Sequence, residues 1–540
     1  MAMTTLLATV LARAALYGSI TLALFGLVRL LYLIFVYPDH VSPLRHLPGP
    51  KDHHVFLGQL LNQFRAADPE QPYTAWMQTW PNAPLIRYRE TGVAAEGLLI
   101  NSAAAYRDVM CAQHCYAYQR SAPFRRLIGD IIGVGLVFAE GEEHRRQRKA
   151  LGGLFTVANV KAYLAVLQEK ADCLVDEIQC SVSSAAAGGG SGGSGGGLVE
   201  IKSLFAQATL DVIGIVALGQ DLHCLGGRSV FQACYEAMFD LTPAGMLLAA
   251  VNLVVPIRWL PLEANRSFMQ ASAQLRQILT SMTEERIAQV VAAGEKPNKS
   301  PAKGLPAKDL LTYMVETKYL ATNVAERWSK ADLVEQVLNF MATGHETTAG
   351  ALTFAVHRLG VHSEVVRKLR SEARDRLPSC PSFSDIDSLP YLDAVLRECL
   401  RFHPPVAGIP RVAQQDTVVA GQFVPRGTTL MPVPAVMHHN TALWGDDAHV
   451  FRPERWIDDP TMGGAVNSEA YAWVGFGHGP RSCIGRALAA LNFKVVLLAM
   501  VQKLDWTSLD RGKLPVVNPS GQLRPKGEVW LQVAPVREAK

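Results

Sequence analysis

The chain opens on an almost unbroken apolar run, Ala14 to Val28, resumed from Leu30 to Tyr37 after the single charge of Arg29. Together these segments reach the ~20 residues that a helix needs to cross a bilayer. Beyond them the long segments are mostly helical in pattern. The clearest runs from Ala331 to Leu359, where Leu333, Val337 and Leu338 are spaced for one buried face. Met246 to Val255 is strongly apolar, a pattern that fits a buried helix and a second membrane contact equally. Ala185 to Ala187 lead into a tract from Gly188 to Gly197 broken only by Ser191 and Ser194. Such a tract is flexible. Residues 185–197 are read as a surface loop, because chemistry-bearing motifs lie on both sides of it.

The flanks of the first run refine its meaning. A cleavable signal peptide has a shorter apolar core followed by small residues. Here Tyr37-Pro38-Asp39 follows, which favours an uncleaved anchor. Arg29 is costly at a bilayer centre and must lie close enough to an interface to snorkel. Pro48 and Pro50 around Gly49 stiffen the next segment and stop any helix. Arg45 and Lys51 after the span favour a cytosolic body, against the vote of Arg13 before it. A net charge of +4 over 540 residues gives no reason to expect nucleic acid as a partner. The nine cysteines are odd in number and show no zinc spacing, which points to a reducing compartment.

One cysteine stands apart. Cys483 lies in Phe476-Gly477-His478-Gly479-Pro480-Arg481-Ser482-Cys483-Ile484-Gly485. A lone thiolate is a good axial ligand for haem iron. Glycines let the backbone approach a flat ligand, and the turn's N–H groups can temper the charge on sulfur. The Arg481 guanidinium suits a haem propionate. This stretch strongly resembles the haem-binding loop of cytochrome P450 enzymes, with Phe476, Gly479, Arg481, Cys483 and Gly485 at the family's offsets.

A second constellation lies within the long helix, at Thr343-Gly344-His345-Glu346-Thr347-Thr348. Gly344 costs a helix about 1 kcal/mol relative to Ala, a cost kept where something must approach the backbone. Consecutive threonine hydroxyls can bond to the preceding turn and bend it. The segment resembles the family's oxygen-activating helix. By that resemblance Thr347 is the hydroxyl that holds the oxygen adduct and a water, and Glu346 is the acid that reloads the proton relay. Thr343 departs from the family's usual Ala or Gly and faces the substrate cavity.

Three further segments fit the same family. Glu398 and Arg401 are helix neighbours at i and i+3. With Arg455, in Phe451-Arg452-Pro453-Glu454-Arg455-Trp456, the resemblance makes them a structural ion network. Between these two motifs, the resemblance places Val406, Ala407 and Ile409 on the substrate cavity and gives Arg411 a propionate. In the charge run Gly141 to Lys149, Arg148 takes the family's propionate-binding Arg position, and His144 stands where the family has Trp. Arg145, Arg146 and Lys149 are left over and suit an acidic flavoprotein donor.

The resemblance runs from Pro48 to Pro535. It implies a mainly α fold with small β-sheets, a single cytochrome P450 domain over residues 52–540. An anchor and lead-in over 1–43 and a Pro-rich hinge over 44–51 precede it. It also implies haem b, O2, a lipophilic substrate, and electrons from NADPH through NADPH-cytochrome P450 reductase. The site is an endoplasmic reticulum membrane, single-pass, with a cytosolic catalytic domain. The wording of the motifs looks most like fungal microsomal enzymes that oxygenate terpenoid or polyketide metabolites. Ring expansion, desaturation, epoxidation or rearrangement, and fatty-acid or xenobiotic hydroxylation, stay open as outcomes. A non-enzymatic haem-thiolate sensor is the remaining alternative, and it would have no need of Thr347. Residues Tyr116 to Ile132 and Leu241 to Val255 are expected to set substrate choice.

Overall fold

The structure is a computed structural model that describes residues 2–187, 196–227, 229–239, 242–293, 308–458, 468–512, 514–518 and 521–536. The apolar N-terminal run forms helix α1 (Ala2–Leu31), which continues to Val41 in wider turns that close five residues back. Pro38 lies inside that end, where its missing N–H breaks a regular ladder. Leu11–Val41 is long and apolar enough to cross a membrane. Its last turns are tied to the body. Arg87 donates to the Pro38 carbonyl at 2.7 Å and Arg89 to that of Ile34 at 3.4 Å. Ser42 Oγ donates to Glu96 at 2.6 Å. The Pro-rich segment packs along the sheet edge, with the Arg87 N–H donating to the Pro48 carbonyl at 2.8 Å.

That edge belongs to a five-stranded sheet in the order β1-β2-β6-β5-β3, formed by β1 (Leu85–Arg89), β2 (Glu96–Ile100), β3 (Tyr118–Arg120), β5 (Arg411–Ala413) and β6 (Thr429–Met431). Only the β2–β6 pair is parallel. A second sheet of three strands brings β4 (Gly197–Glu200) and β7 (Leu504–Ser508) to either side of β8 (Trp530–Pro535). Residues 188–195, most of the Gly/Ser tract, lie outside the described residues. Helix α4 (Leu164–Ala187) ends on its near side and β4 begins on its far side.

The helices that build the site are α2 (Ala122–Ile132), α3 (Gly141–Gly152), α5 (Ile201–Leu218), α7 (Lys330–Leu359), α8 (Pro390–Phe402) and α9 (Arg486–Lys503). The expected long helix is α7. It starts on a capping box in which Ser329 and Asp332 exchange bonds. Its middle is buried nearly all round, so it runs through the core. At Gly344, which also lines the cavity described below, an α5 side chain packs against the α7 backbone. A Cβ there would stand 2.6 Å from the Ile213 side chain. The close approach expected at Gly344 is therefore helix on helix. Helix α6 (Pro243–Val254) covers part of the apolar stretch left open above. It lies over α2, with Arg126 donating to the Asn252 carbonyl at 3.4 Å, while Leu247 is 60 % exposed.

Candidate active site

Cys483 lies at the floor of a cavity of about 370 Å3 whose walls come from α2, α3, α5, α7, the 404–411 segment, the cysteine loop and α9. A second cavity, of about 580 Å3, lies between the Gln71–Thr79 helix and Phe402–Pro404. Neither Cys483 nor Thr347 reaches it.

The cysteine loop is shaped by two left-handed glycines, Gly477 (φ 67°) and Gly479 (φ 64°). Gly479 does not line the cavity. A Cβ there would strike the Met110 carbonyl, so its role is to let the loop dock on its neighbour. The Cys483 N–H donates to the Phe476 carbonyl at 2.8 Å, closing the turn. The exposed surface of Cys483 is cavity surface, for the residue lies deep in the fold. Burial pushes its thiol pKa up, opposed by the Gly485 N–H and the charges of Arg148 and Arg486. The site thus puts a sulfur where a bound metal cation would favour its thiolate.

One side of the cavity carries unusual charge. Arg120 and Arg411 are directly opposed in the β3–β5 register, and both are buried. Arg481 joins them, its side chain fully buried. Like charges placed opposite each other across strands repel. Among the described residues Glu140 is the one carboxylate bonded to the group, pairing with Arg481 and standing 3.5 Å from Arg120. Arg120 Nε and Nη1, Arg411 Nε and Nη1 and Arg481 Nε find no hydrogen-bond partner among the described residues, Arg120 Nη1 having only its 3.5 Å ion pair with Glu140. Burial first, then the Arg481 charge, lowers Arg411 to about 10, with Glu140 opposing. Three cations against one anion, with N–H groups left over, make a receptor for an anion of about two charges. The two propionates of a haem have that charge. The residues present therefore fit the group.

His144 and Arg148 of α3 line the same cavity. Tyr116 meets His144 Nδ1 at 2.9 Å. Burial, then Arg481, Arg120, Arg148 and Arg411, lower His144 to about 3, so the ring is neutral. A neutral ring that accepts the Tyr116 proton on Nδ1 carries its own hydrogen on Nε2, a donor where the family has the indole of Trp. Arg148 donates to the Ser482 carbonyl and, at 3.3 Å, to Ser482 Oγ, bracing the cysteine loop. Two of the three leftover basic residues, Arg145 and Arg146, are paired within the helix. Arg145 pairs with Glu142 and Arg146 with Glu143, and Arg145 also sits 4.2 Å over the Tyr116 ring.

On the opposite wall Thr343 and Thr347 face the cavity. Each hydroxyl donates one turn back at 2.7 Å, Thr343 to the Asn339 carbonyl and Thr347 to that of Thr343. Glu346 does not face the cavity with them. Its carboxylate lies 3.3 Å from His345 Nε2 and 3.7 Å from Arg524. Burial pushes its pKa up, but the His345 hydrogen bond and charge, with those of Arg524 and Lys202, bring it down to about 2. Val406 and Ile409 line the cavity as expected. Ala407 does not, and its N–H instead donates to Gly521 at 3.2 Å. Among the described residues the Leu241 to Val255 stretch contributes no lining residue, whereas Phe124, Ile128 and Ile132 of α2 do.

The ion network lies outside the cavity and is closed on itself. Arg401 makes a bidentate pair with Glu398, both bonds at 2.8 Å, and donates to the His438, Ala448 and Val450 carbonyls. Arg455 Nε and the Trp456 indole N–H complete the Glu398 oxygens at 3.2 and 3.0 Å.

A helical body pierced by one long helix, with a lone cysteine and an anion receptor on the same largely apolar cavity, is the arrangement of a haem-thiolate protein. The family model for cytochrome P450 matches residues 48–532, and the chain belongs to that family. It is 30 % identical to cytochrome P450 monooxygenase sphH of Aspergillus fumigatus, covering 97 % of this chain and 95 % of that one. It is also 30 % identical to cytochrome P450 monooxygenase ALT8 of Alternaria alternata, covering 91 % and 89 %. Cytochrome P450 monooxygenase ptmK of Penicillium ochrochloron is 27 % identical, over 94 % and 95 %. The chain is a monooxygenase, with haem as the family's cofactor.

Proposed function

We propose that this chain binds haem b through Cys483 and inserts one oxygen atom from O2 into a lipophilic small molecule of terpenoid or polyketide type. Electrons come from NADPH through NADPH-cytochrome P450 reductase. The long apolar N-terminal helix holds the protein in the endoplasmic reticulum membrane as a single span, with the catalytic domain on the cytosolic side. The observation that carries this reading is the convergence on one cavity of Cys483, an Arg120–Arg411–Arg481 cluster that Glu140 only partly compensates, and walls that are mostly apolar.

Haem, when bound, would supply the centre for oxygen chemistry, with a thiolate ligand donating electron density to it. Cys483 would be that ligand, steadied by the Gly485 N–H and the Arg148 charge. Arg120, Arg411 and Arg481 take the propionates, with His144 as a neutral donor held in one tautomer by Tyr116. Phe476, Gly485 and Ile484 pack at the cysteine side. Thr347 presents a hydroxyl to the cavity and passes protons from water held there. Glu346 stands one step behind it as an ionised carboxylate anchored by His345 and Arg524, and it relays a proton by first taking one up from solvent and then giving it on. Apolar side chains from α2, α5 and the 406–409 segment exclude bulk water and select a lipophilic substrate. Glu398, Arg401 and Arg455 hold the core on which the cysteine loop rests.

The test compares metabolites, by accurate mass, from a host with and without the gene. The expected result is a precursor that accumulates one oxygen lighter than the lost product. A precursor of the same mass as the lost product would show rearrangement and overturn the oxygen-insertion assignment.

A further inference from the structure

The cavity wall formed by α7 and its neighbours contains few polar side chains, and nearly all of them are spent inside the protein. Thr343 and Thr347 donate back along α7, and so does Thr348, to the Gly344 carbonyl at 3.1 Å. The Asn339 amide is used at both ends, donating to the Ile132 carbonyl and accepting the Val137 N–H. Gln522 is different. It lines the cavity, it is 9 % exposed, and its Oε1 finds no partner among the described residues. The other unpartnered amide oxygen lining the cavity belongs to Asn492, on α9, the helix that follows Cys483.

Gln522 is also held in place. Its backbone bridges to Val406. On one side of it, the Gly521 carbonyl accepts the Ala407 N–H at 3.2 Å, and the Gly521 N–H donates to Asn518 Oδ1 at 2.7 Å. On the other side, the Leu523 N–H donates to the Pro405 carbonyl at 2.9 Å. A buried amide kept unpaired is costly. One on a wall whose other polar side chains are mostly already bonded within the protein is set up for a ligand that can pair it.

We propose that Gln522 is a specificity-determining residue whose carboxamide pairs with a hydroxyl or carbonyl already present on the substrate. The substrate is then an oxygenated lipophile rather than a bare hydrocarbon, and this rests on the oxygenase reading above. A half-turn of the carboxamide offers either its NH2 or its oxygen, which serves a carbonyl and a hydroxyl alike. A preceding oxygenation, or a cyclisation that retains oxygen, must therefore supply the substrate, and the reaction here adds a second polar site.

The test measures dissociation constants of matched probes on the full-length haem-loaded protein, by equilibrium dialysis and by the shift in haem absorbance. The probes are menthol with p-menthane, and cedrol with cedrane. The readout is the ratio of alcohol to hydrocarbon affinity, compared between the wild type and Gln522→Met, so that the cost of leaving water cancels. The expected result is a ratio about five- to tenfold lower in Gln522→Met, with part of the preference kept by Gln522→Asn. An unchanged ratio in Gln522→Met overturns the proposal. The carbon-monoxide difference spectrum of the same samples separates the two readings. Wild-type protein without thiolate-bound haem overturns the oxygenase reading and this proposal with it. An intact spectrum with an unchanged ratio overturns the role of Gln522 alone.

Discussion

The molecule holds two buried groups of arginines with opposite fates. Arg401 and Arg455 are as buried as Arg120 and Arg411, all at 6 % exposure or less. Around Glu398 the donors meet carboxylate or carbonyl oxygens. Around Glu140 several N–H groups meet nothing. Burial of a charge is tolerated when its partners are supplied, so the difference lies in who supplies them. The Glu398 group is complete within the chain. The Glu140 group is complete only with an added anion, which is what a binding site looks like before its ligand is counted.

The comparison makes opposite predictions for similar substitutions. Glu398→Gln should cost about 3–5 kcal/mol, because it strands two buried guanidiniums. Urea unfolding of the haem-loaded protein measures it, and a loss below about 1 kcal/mol would remove the network from the core's support. Glu346 is the intermediate case, a buried carboxylate between His345 and Arg524. Its folded pKa of about 2 lies below the ordinary 4.5, so it adds stability above pH 4.5 that is lost as the pH falls toward 2. The contribution at neutral pH is about 3 kcal/mol. Glu346→Gln should therefore lower stability at pH 7 and flatten its fall between pH 4.5 and 2. A wild-type slope in that variant would refute the pairing. Arg411→Met should do what no change in the Glu398 network does. It should stabilise the haem-free protein by about 1–3 kcal/mol while speeding haem transfer to an apo-globin acceptor at least tenfold. Equal destabilisation of both forms would make Arg411 a structural residue like Arg401. The smallest effect belongs to Tyr116→Phe. Losing one hydrogen bond should cost about 1 kcal/mol and leave the His144 tautomer unfixed, visible in its imidazole NMR signals.

What was legible in the sequence divides along the same line. Cys483, Arg481, Phe476 and Gly485 could be read because their chemistry is packed into ten consecutive residues. Arg148, Arg411 and the Glu398 network followed from short motifs. Arg120 was missed, because its meaning comes from the β3–β5 register, which joins segments far apart in the chain. Tyr116 and Gln522 were missed for the same reason, since each acts on a partner from another element. Glu346 and Thr347 were read as one unit, yet neighbours on a helix point about 100° apart. One faces the cavity and the other faces Arg524. The angle was available from the sequence, but which face was the cavity was not. The cost of Gly344 was legible, but the Ile213 side chain behind it was not.

The tie between the N-terminal helix and the sheet sets a waterline. From Leu11 to Arg29 every residue is exposed, and partial burial against the body begins at Leu30. Those nineteen residues span about 28 Å, close to the ~30 Å of a hydrocarbon core. On the anchored reading proposed above, this tie would hold the body at the headgroups, with Arg29 near the surface rather than the middle. A hydrophobic molecule dissolved in the lipid would then need no excursion through water to reach the protein, and the membrane would serve as its reservoir.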